Sequence, residues 1–128
     1  QAASEIASIP EVRVALLEFQ RNFSQKPPGA VLDGRDIGTI VCPDARIKIF
    51  LTASLEARAK RRYVELCKHD EKISFDTILE QIRERDERDQ TRTSSPMVAA
   101  SDAKIFDTSE LSITEAVDKV FSYIQTKI

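Results

Sequence analysis

The sequence is short of the residues on which most metal and nucleophile chemistry depends. It has one histidine, His69, and two cysteines, Cys42 and Cys67, with no C-x-x-C pair. Three such ligands scattered along the chain cannot complete a four-ligand zinc site. A single histidine, lying in the charged stretch Lys68-His69-Asp70, argues against a Ser-His-Asp or Cys-His hydrolase. Two unpaired thiols without a signal sequence fit a reducing cytoplasm. Long apolar runs are missing too, so nothing is expected to span a membrane. Excess positive charge is also lacking. Lys+Arg 19 against Asp+Glu 21 gives a net charge of −2, which leaves no field to hold a nucleic acid polymer.

What is present describes an ordinary globular chain. With 41% apolar and 31% charged residues over 128 positions, disorder is excluded and one domain, or a large piece of one, is indicated. A compact fold of this mass exposes roughly 6,800 Å² and buries about two-thirds of the unfolded surface. The chain opens Gln1-Ala2-Ala3-Ser4 and its one methionine is Met97, so it reads as a piece of something longer. Such a piece is expected to leave a sheet edge and apolar surface uncovered, and to self-associate.

Apolar periodicity sets the order of elements. Residues from about Ala2 to Phe23 read as a helix, bent or broken at Pro10, with a stripe of Val12, Leu16, Phe19 and Phe23. Pro27-Pro28-Gly29 is a stop. Ala30-Val31-Leu32-Asp33 reads as a buried strand ending at a functional loop, Ile47–Leu51 as a second strand, and Lys104–Asp107 as a third. Ser54 and Ser74 are helix N-caps, and Ser112-Ile113-Thr114-Glu115 is a capping box before a helix bearing Val117, Val120, Phe121 and Ile124. Strands alternating with helices predict an α/β fold with a parallel sheet flanked by helices.

Three constellations could carry chemistry. After Ser74, the stripe Phe75, Ile78, Leu79, Ile82 continues into Asp86 and Asp89, with Arg85 and Arg92 at its edge and Arg88 pointing away. A core-facing stripe that turns charged must meet a cleft, an ion pair or a ligand. The plainer alternative is a solvated face with pairs at i, i+4. Arg58, Arg61 and Arg62 share one face of the preceding helix. Guanidinium forks suit phosphate oxygens, although Glu65 at i+4 from Arg61 also suggests a merely solubilising face. Asp33-Gly34-Arg35-Asp36-Ile37-Gly38-Thr39 closes the first strand, with two glycines that would admit a ligand to the backbone at the sheet's carboxyl edge. Gly29 to Gly34 mimics P-loop spacing, but Arg35-Asp36 stands where Lys and Ser/Thr are required. The chain holds no P-loop.

Taken together, these segments resemble the bacterial cytidylate kinases, P-loop nucleoside monophosphate kinases. The resemblance rests on Ile9-Pro10-Glu11-Val12-Arg13, Asp33–Thr39, Pro43-Asp44-Ala45, Lys48–Leu51, Arg58–Arg62, Ala99–Ala103, Leu111-Ser112-Ile113 and, above all, Arg85-Asp86-Glu87-Arg88-Asp89 with Arg92. It runs over essentially the whole chain in family order, but the family's N-terminal P-loop unit and most of its monophosphate-binding insert have no counterpart. It implies a partial P-loop NMP-kinase fold. Residues 1–28 would end the CMP-binding region, 29–53 hold core strands and loop, 54–95 form the helical lid with its arginines, and 96–128 supply the last strand and helix. It further implies that Ser4, Arg13 and Asp36 read the cytosine, that Arg35 and Arg92 hold the substrate phosphate, and that Arg85 and Asp89 hold the ribose. Arg58, Arg61 and Arg62 would reach ATP, with Arg85, Arg92 and Arg61 serving the transferring phosphoryl group. The implied reaction moves the γ-phosphoryl of ATP, with Mg²⁺, to CMP or dCMP in the cytoplasm. The longer enzyme is expected to be a monomer, and this piece alone to be inactive. Two other readings stand beside it: a nucleotide- or anion-binding module without transfer, and a helical domain that docks a protein partner.

Overall fold

The computed structural model describes residues 6, 9–69, 72–91 and 97–128. Ser4, Arg92 and Pro96 lie outside the described residues. The order is α1 (Pro10–Ser24), a π-helical turn (Ile37–Val41), β1 (Ile49–Thr52), α2 (Leu55–Lys68), α3 (Phe75–Thr91), β2 (Lys104–Asp107) and α4 (Ile113–Gln125). Described in these terms, the chain is a helix-rich α/β protein.

Local chemistry accounts for the helix starts. Pro10 opens α1 at the position where its missing N–H costs nothing, after an extended Ile9. Ser54 Oγ accepts from the Ala57 amide at 3.1 Å to start α2, and Ser74 Oγ accepts from Thr77 at 3.2 Å to start α3. At α4 the capping box closes both ways: Ser112 Oγ accepts from the Glu115 amide, and the Glu115 carboxylate accepts from the Ser112 amide at 2.8 Å. The bonds that Ser112 donates to this carboxylate, from its backbone N–H above all and also from its hydroxyl, hold the Glu115 carboxyl below its ordinary pKa. The stabilisation is therefore present above the ordinary carboxylate range and is lost as pH falls through the lowered value. Ser112→Ala is expected to cost about 1 kcal/mol in urea unfolding at pH 7. The deficit of Glu115→Ala should shrink as the same titration is moved to acid pH.

β1 and β2 pair in parallel, Ile49 opposite Lys104 through Thr52 opposite Asp107, and they form the two-stranded sheet of the described residues. Lys104 N to Lys48 O at 2.9 Å and Thr108 N to Thr52 O at 2.8 Å extend the ladder at either end. The crossover between the strands carries α2 and α3, which pack as a hairpin. Ala59, Leu66 and Ile78 are its buried centre, with Ile73, Phe75, Leu79 and Ile82 packed around them. Tyr63 and Phe75 meet edge-on, ring centroids 6.1 Å apart, and Phe106 and Tyr123 join α4 to β2 at 5.7 Å.

Two sequence expectations are corrected here. The run Ala30–Asp33 forms no strand among the described residues, and Val31 is 96% exposed. A strand exists only where a neighbour accepts and donates along its edge, and β1 and β2 pair with each other. Both glycines of the following loop line a small cleft beside it. A Cβ on Gly34 would stand 2.9 Å from Ile37 Cγ1, so Gly34 lets the loop close on its own side chain, while Gly38 has ordinary clearance to Lys48. Finally, the core is confined to the α2–α3 hairpin, and the accessible surface is 9654 Å² against the roughly 6,800 Å² of a compact chain, in keeping with the apolar surface expected to stay uncovered. The stripe of α1 is uncovered, with Leu16, Phe19 and Phe23 at 51%, 69% and 48%, and so are Val117 and Phe121 of α4. Amphipathic patterning creates a face to bury but supplies nothing to bury it against.

Candidate functional site

Arg35 and Asp36 are consecutive residues tied to different helices. Asp36, at the N-terminal end of the π-helical turn, forms an ion pair with Arg13 on α1, the side chains 13% and 20% exposed. Arg35 forms an ion pair with Asp89 on α3. One loop thus gathers two guanidiniums and two carboxylates from three elements. Asp89 is 3% exposed, and its own backbone carbonyl accepts from the Met97 amide at 2.9 Å.

The face of α3 resolves as the wheel predicts. Ile78 and Asp89 are both buried on one stripe, and Asp86 is half-buried beside them. Both aspartates reach arginines outside the helix. Asp86 accepts two bonds from Arg58 of α2, at 2.7 and 2.6 Å, while Arg58 Nε donates to Ala53 O at 3.1 Å. This fork-to-fork contact raises the guanidinium pKa, against the opposing effect of partial burial. The helix's own i, i+3 pair, Glu80 with Arg83, lies on the solvated side. Arg85 is exposed one turn before Asp89 and has no ion-pair partner among the described residues.

The three arginines of α2 do not form a single array. Arg61 Nη1 donates to Thr108 Oγ1 at 3.2 Å and Arg61 Nη2 to the Thr108 carbonyl, which ties α2 to the end of β2. Glu65 pairs with Arg62 at 2.7 Å, not with Arg61 as its spacing suggested. The i+3 partner wins because Arg61 is already committed to backbone carbonyls.

Two groups escaped the sequence reading. Arg21 donates to the carbonyls of Ile40 and Val41, and Lys48 joins the Pro43 carbonyl to Asp102, whose carboxyl pKa it lowers. Contacts from a side chain to a distant backbone oxygen leave no periodic trace in a sequence. A small cleft of about 130 Å³ beside the loop is lined by Asp33, Arg35, Ile37, Lys48 and Val98. A larger one of about 710 Å³ lies between residues 30–32, the end of α1 and Ile47 and Ile49, and its lining is chiefly apolar. None of Arg13, Arg35, Asp36 and Asp89 lines it, so the charged cluster marks the candidate site better than cavity size does. Among the described residues no three His, Cys, Asp or Glu stand together as a metal site, and no helix is long and apolar enough to cross a membrane.

Comparison with known proteins gives one answer. The family model described as Cytidylate kinase matches residues 1–126. The cytidylate kinase of Paramagnetospirillum magneticum is 52% identical over 130 residues, which cover 99% of this chain and 62% of that protein. That of Azorhizobium caulinodans is 49% identical over 125 residues, 98% of this chain and 61% of the relative. For Bartonella bacilliformis the figures are 54% over 116 residues, 91% and 54%. The chain therefore spans between 54% and 62% of the length of these relatives.

Proposed function

The chain belongs to the cytidylate kinase family, and from that premise we propose that it supplies the nucleotide-binding arginines and aspartates of an enzyme that transfers the γ-phosphoryl group of ATP to CMP or dCMP. The observation that carries the reading is the doubly paired loop, with Arg35 held by Asp89 and Asp36 held by Arg13. Arg13 offers donors and Asp36 an acceptor, the combination that suits cytosine's O2, N3 and exocyclic amine better than uracil. Ser4 would add a hydroxyl there. Arg35, with Arg92, would take the monophosphate, and Asp89, with Arg85, the ribose hydroxyls. The carboxylates of Asp89 and Asp86 meet Arg35 and Arg58 as phosphate oxygens would. Exchange of carboxylate for phosphate frees each arginine without leaving it bare.

Arg58, Arg61 and Arg62 would approach ATP from the lid, with Arg85, Arg92 and Arg61 nearest the moving phosphoryl group. In-line transfer requires positioning and charge neutralisation and no covalent intermediate. Each arginine works harder once water is excluded. Mg²⁺ would arrive on the triphosphate, for the described residues offer no ligand cluster to hold it. The two free thiols, Cys42 and Cys67, suit work in the cytoplasm, and the full enzyme needs no second subunit in this scheme. Residues 1–28, 29–53, 54–95 and 96–128 would serve as the end of the CMP-binding region, the core strands and loop, the lid, and the closing strand and helix.

A coupled ADP-release assay tests the proposal. The full polypeptide carrying this chain should release ADP with CMP and far less with UMP. These 128 residues alone should give none, since they contain no P-loop to hold the ATP phosphates. Absence of CMP-dependent release from the full polypeptide, or equal calorimetric affinity of it for CMP and UMP, would overturn the proposal.

A further inference from the structure

We propose that Arg21 is a positioning residue for base selection, clamping α1 to the π-helical turn so that Arg13 and Asp36 keep their spacing while a pyrimidine is read; the inference rests on the cytidylate kinase reading of that pair. The two groups belong to different elements, and their own ion pair joins them. A base that bonds to both must take over part of that contact. The direct link between α1 and the loop then weakens at the moment when its length matters most.

Arg21 supplies a link that the base does not touch. Eight residues beyond Arg13 on α1, its Nε donates to Val41 O at 3.1 Å and its Nη2 to Ile40 O at 2.8 Å. A planar fork on two consecutive carbonyls fixes orientation as well as distance, which a lysine cannot do. The same two residues reach back to Asp36: the Ile40 amide donates to Asp36 O at 2.9 Å and the Val41 amide at 3.3 Å. The Ile40–Val41 peptide unit therefore connects the guanidinium of α1 directly to the backbone of the residue whose carboxylate would face the base. Val41 is buried, so the end of the turn is held in place. The cation also sits where the turn's carbonyls point, a favourable end for positive charge.

The test compares Arg21→Met and Arg21→Lys with the wild-type full polypeptide, recording thermal stability together with kcat and KM for CMP and UMP. Arg21→Met should raise KM for CMP about tenfold with kcat within about twofold, and lower the CMP-over-UMP ratio of kcat/KM by a similar factor. Arg21→Lys, able to reach a carbonyl but without a fork, should fall between. A wild-type CMP/UMP ratio in Arg21→Met, or equal losses for both substrates, overturns the clamp. If Arg21→Met does not fold, a wild-type ratio in Arg21→Lys overturns it equally. A wild-type enzyme without CMP preference sinks the kinase reading and the clamp together, whereas a wild-type preference retained by the variants sinks the clamp alone.

Discussion

Asp36→Asn is expected to lower the preference of the full enzyme for CMP over UMP by about a hundredfold in kcat/KM, the scale on which one well-made polar contact discriminates. The carboxylate can only accept, and the group it is proposed to meet, the exocyclic amine of cytosine, can only donate. An amide at the same place presents a donor as readily, and uracil offers a carbonyl oxygen there to receive it. Asparagine preserves the shape of aspartate, so the effect is one of hydrogen-bond polarity. Arg13 also loses a charged partner in a pair whose side chains are only 20% and 13% exposed, which weakens binding of both nucleotides and leaves the ratio as the informative measure. An unchanged CMP/UMP ratio, by steady-state kinetics on both substrates, would remove Asp36 from base reading.

Asp89→Ala should destabilise these 128 residues by about 2 kcal/mol in chemical denaturation, and should abolish measurable CMP binding in the full enzyme. Removal of one partner from a buried pair leaves the other charged and desolvated. The side chain of Arg35 is 27% exposed, so water recovers part of the loss and the figure lies below that for a fully enclosed pair. Asp89→Asn keeps the volume and should cost less stability than the alanine variant while still weakening nucleotide binding. A stability change below about 0.5 kcal/mol for Asp89→Ala would mean that this carboxylate does not hold the loop to α3.

The helix caps at Ser54, Ser74 and Ser112 and the changing face of α3 were legible because both are local. A hydroxyl three residues before an orphan amide needs nothing from the rest of the chain, and a helix carries Ile78 and Asp89 round to the same side whatever lies opposite. The choice of partner was not legible. Asp86 lies 28 residues from Arg58, and Asp89 lies 54 from Arg35, separations over which no spacing rule operates. Glu65 shows the limit even at close range: i+3 and i+4 arginines both lie within its reach, and the preference for Arg62 follows from carbonyls at the end of β2 that engage Arg61.

By itself, then, the order of residues determined where helices begin and which of their faces are apolar or charged, because those properties depend on neighbours a few bonds away. Tertiary structure alone decided that Ala30–Asp33 stays out of the sheet, that the apolar faces of α1 and α4 remain open, and which carboxylates hold Arg13, Arg35 and Arg58. Strand pairing, burial and ion pairing each need a second surface brought from elsewhere in the molecule. A one-dimensional pattern states the demand for that surface but not the supply.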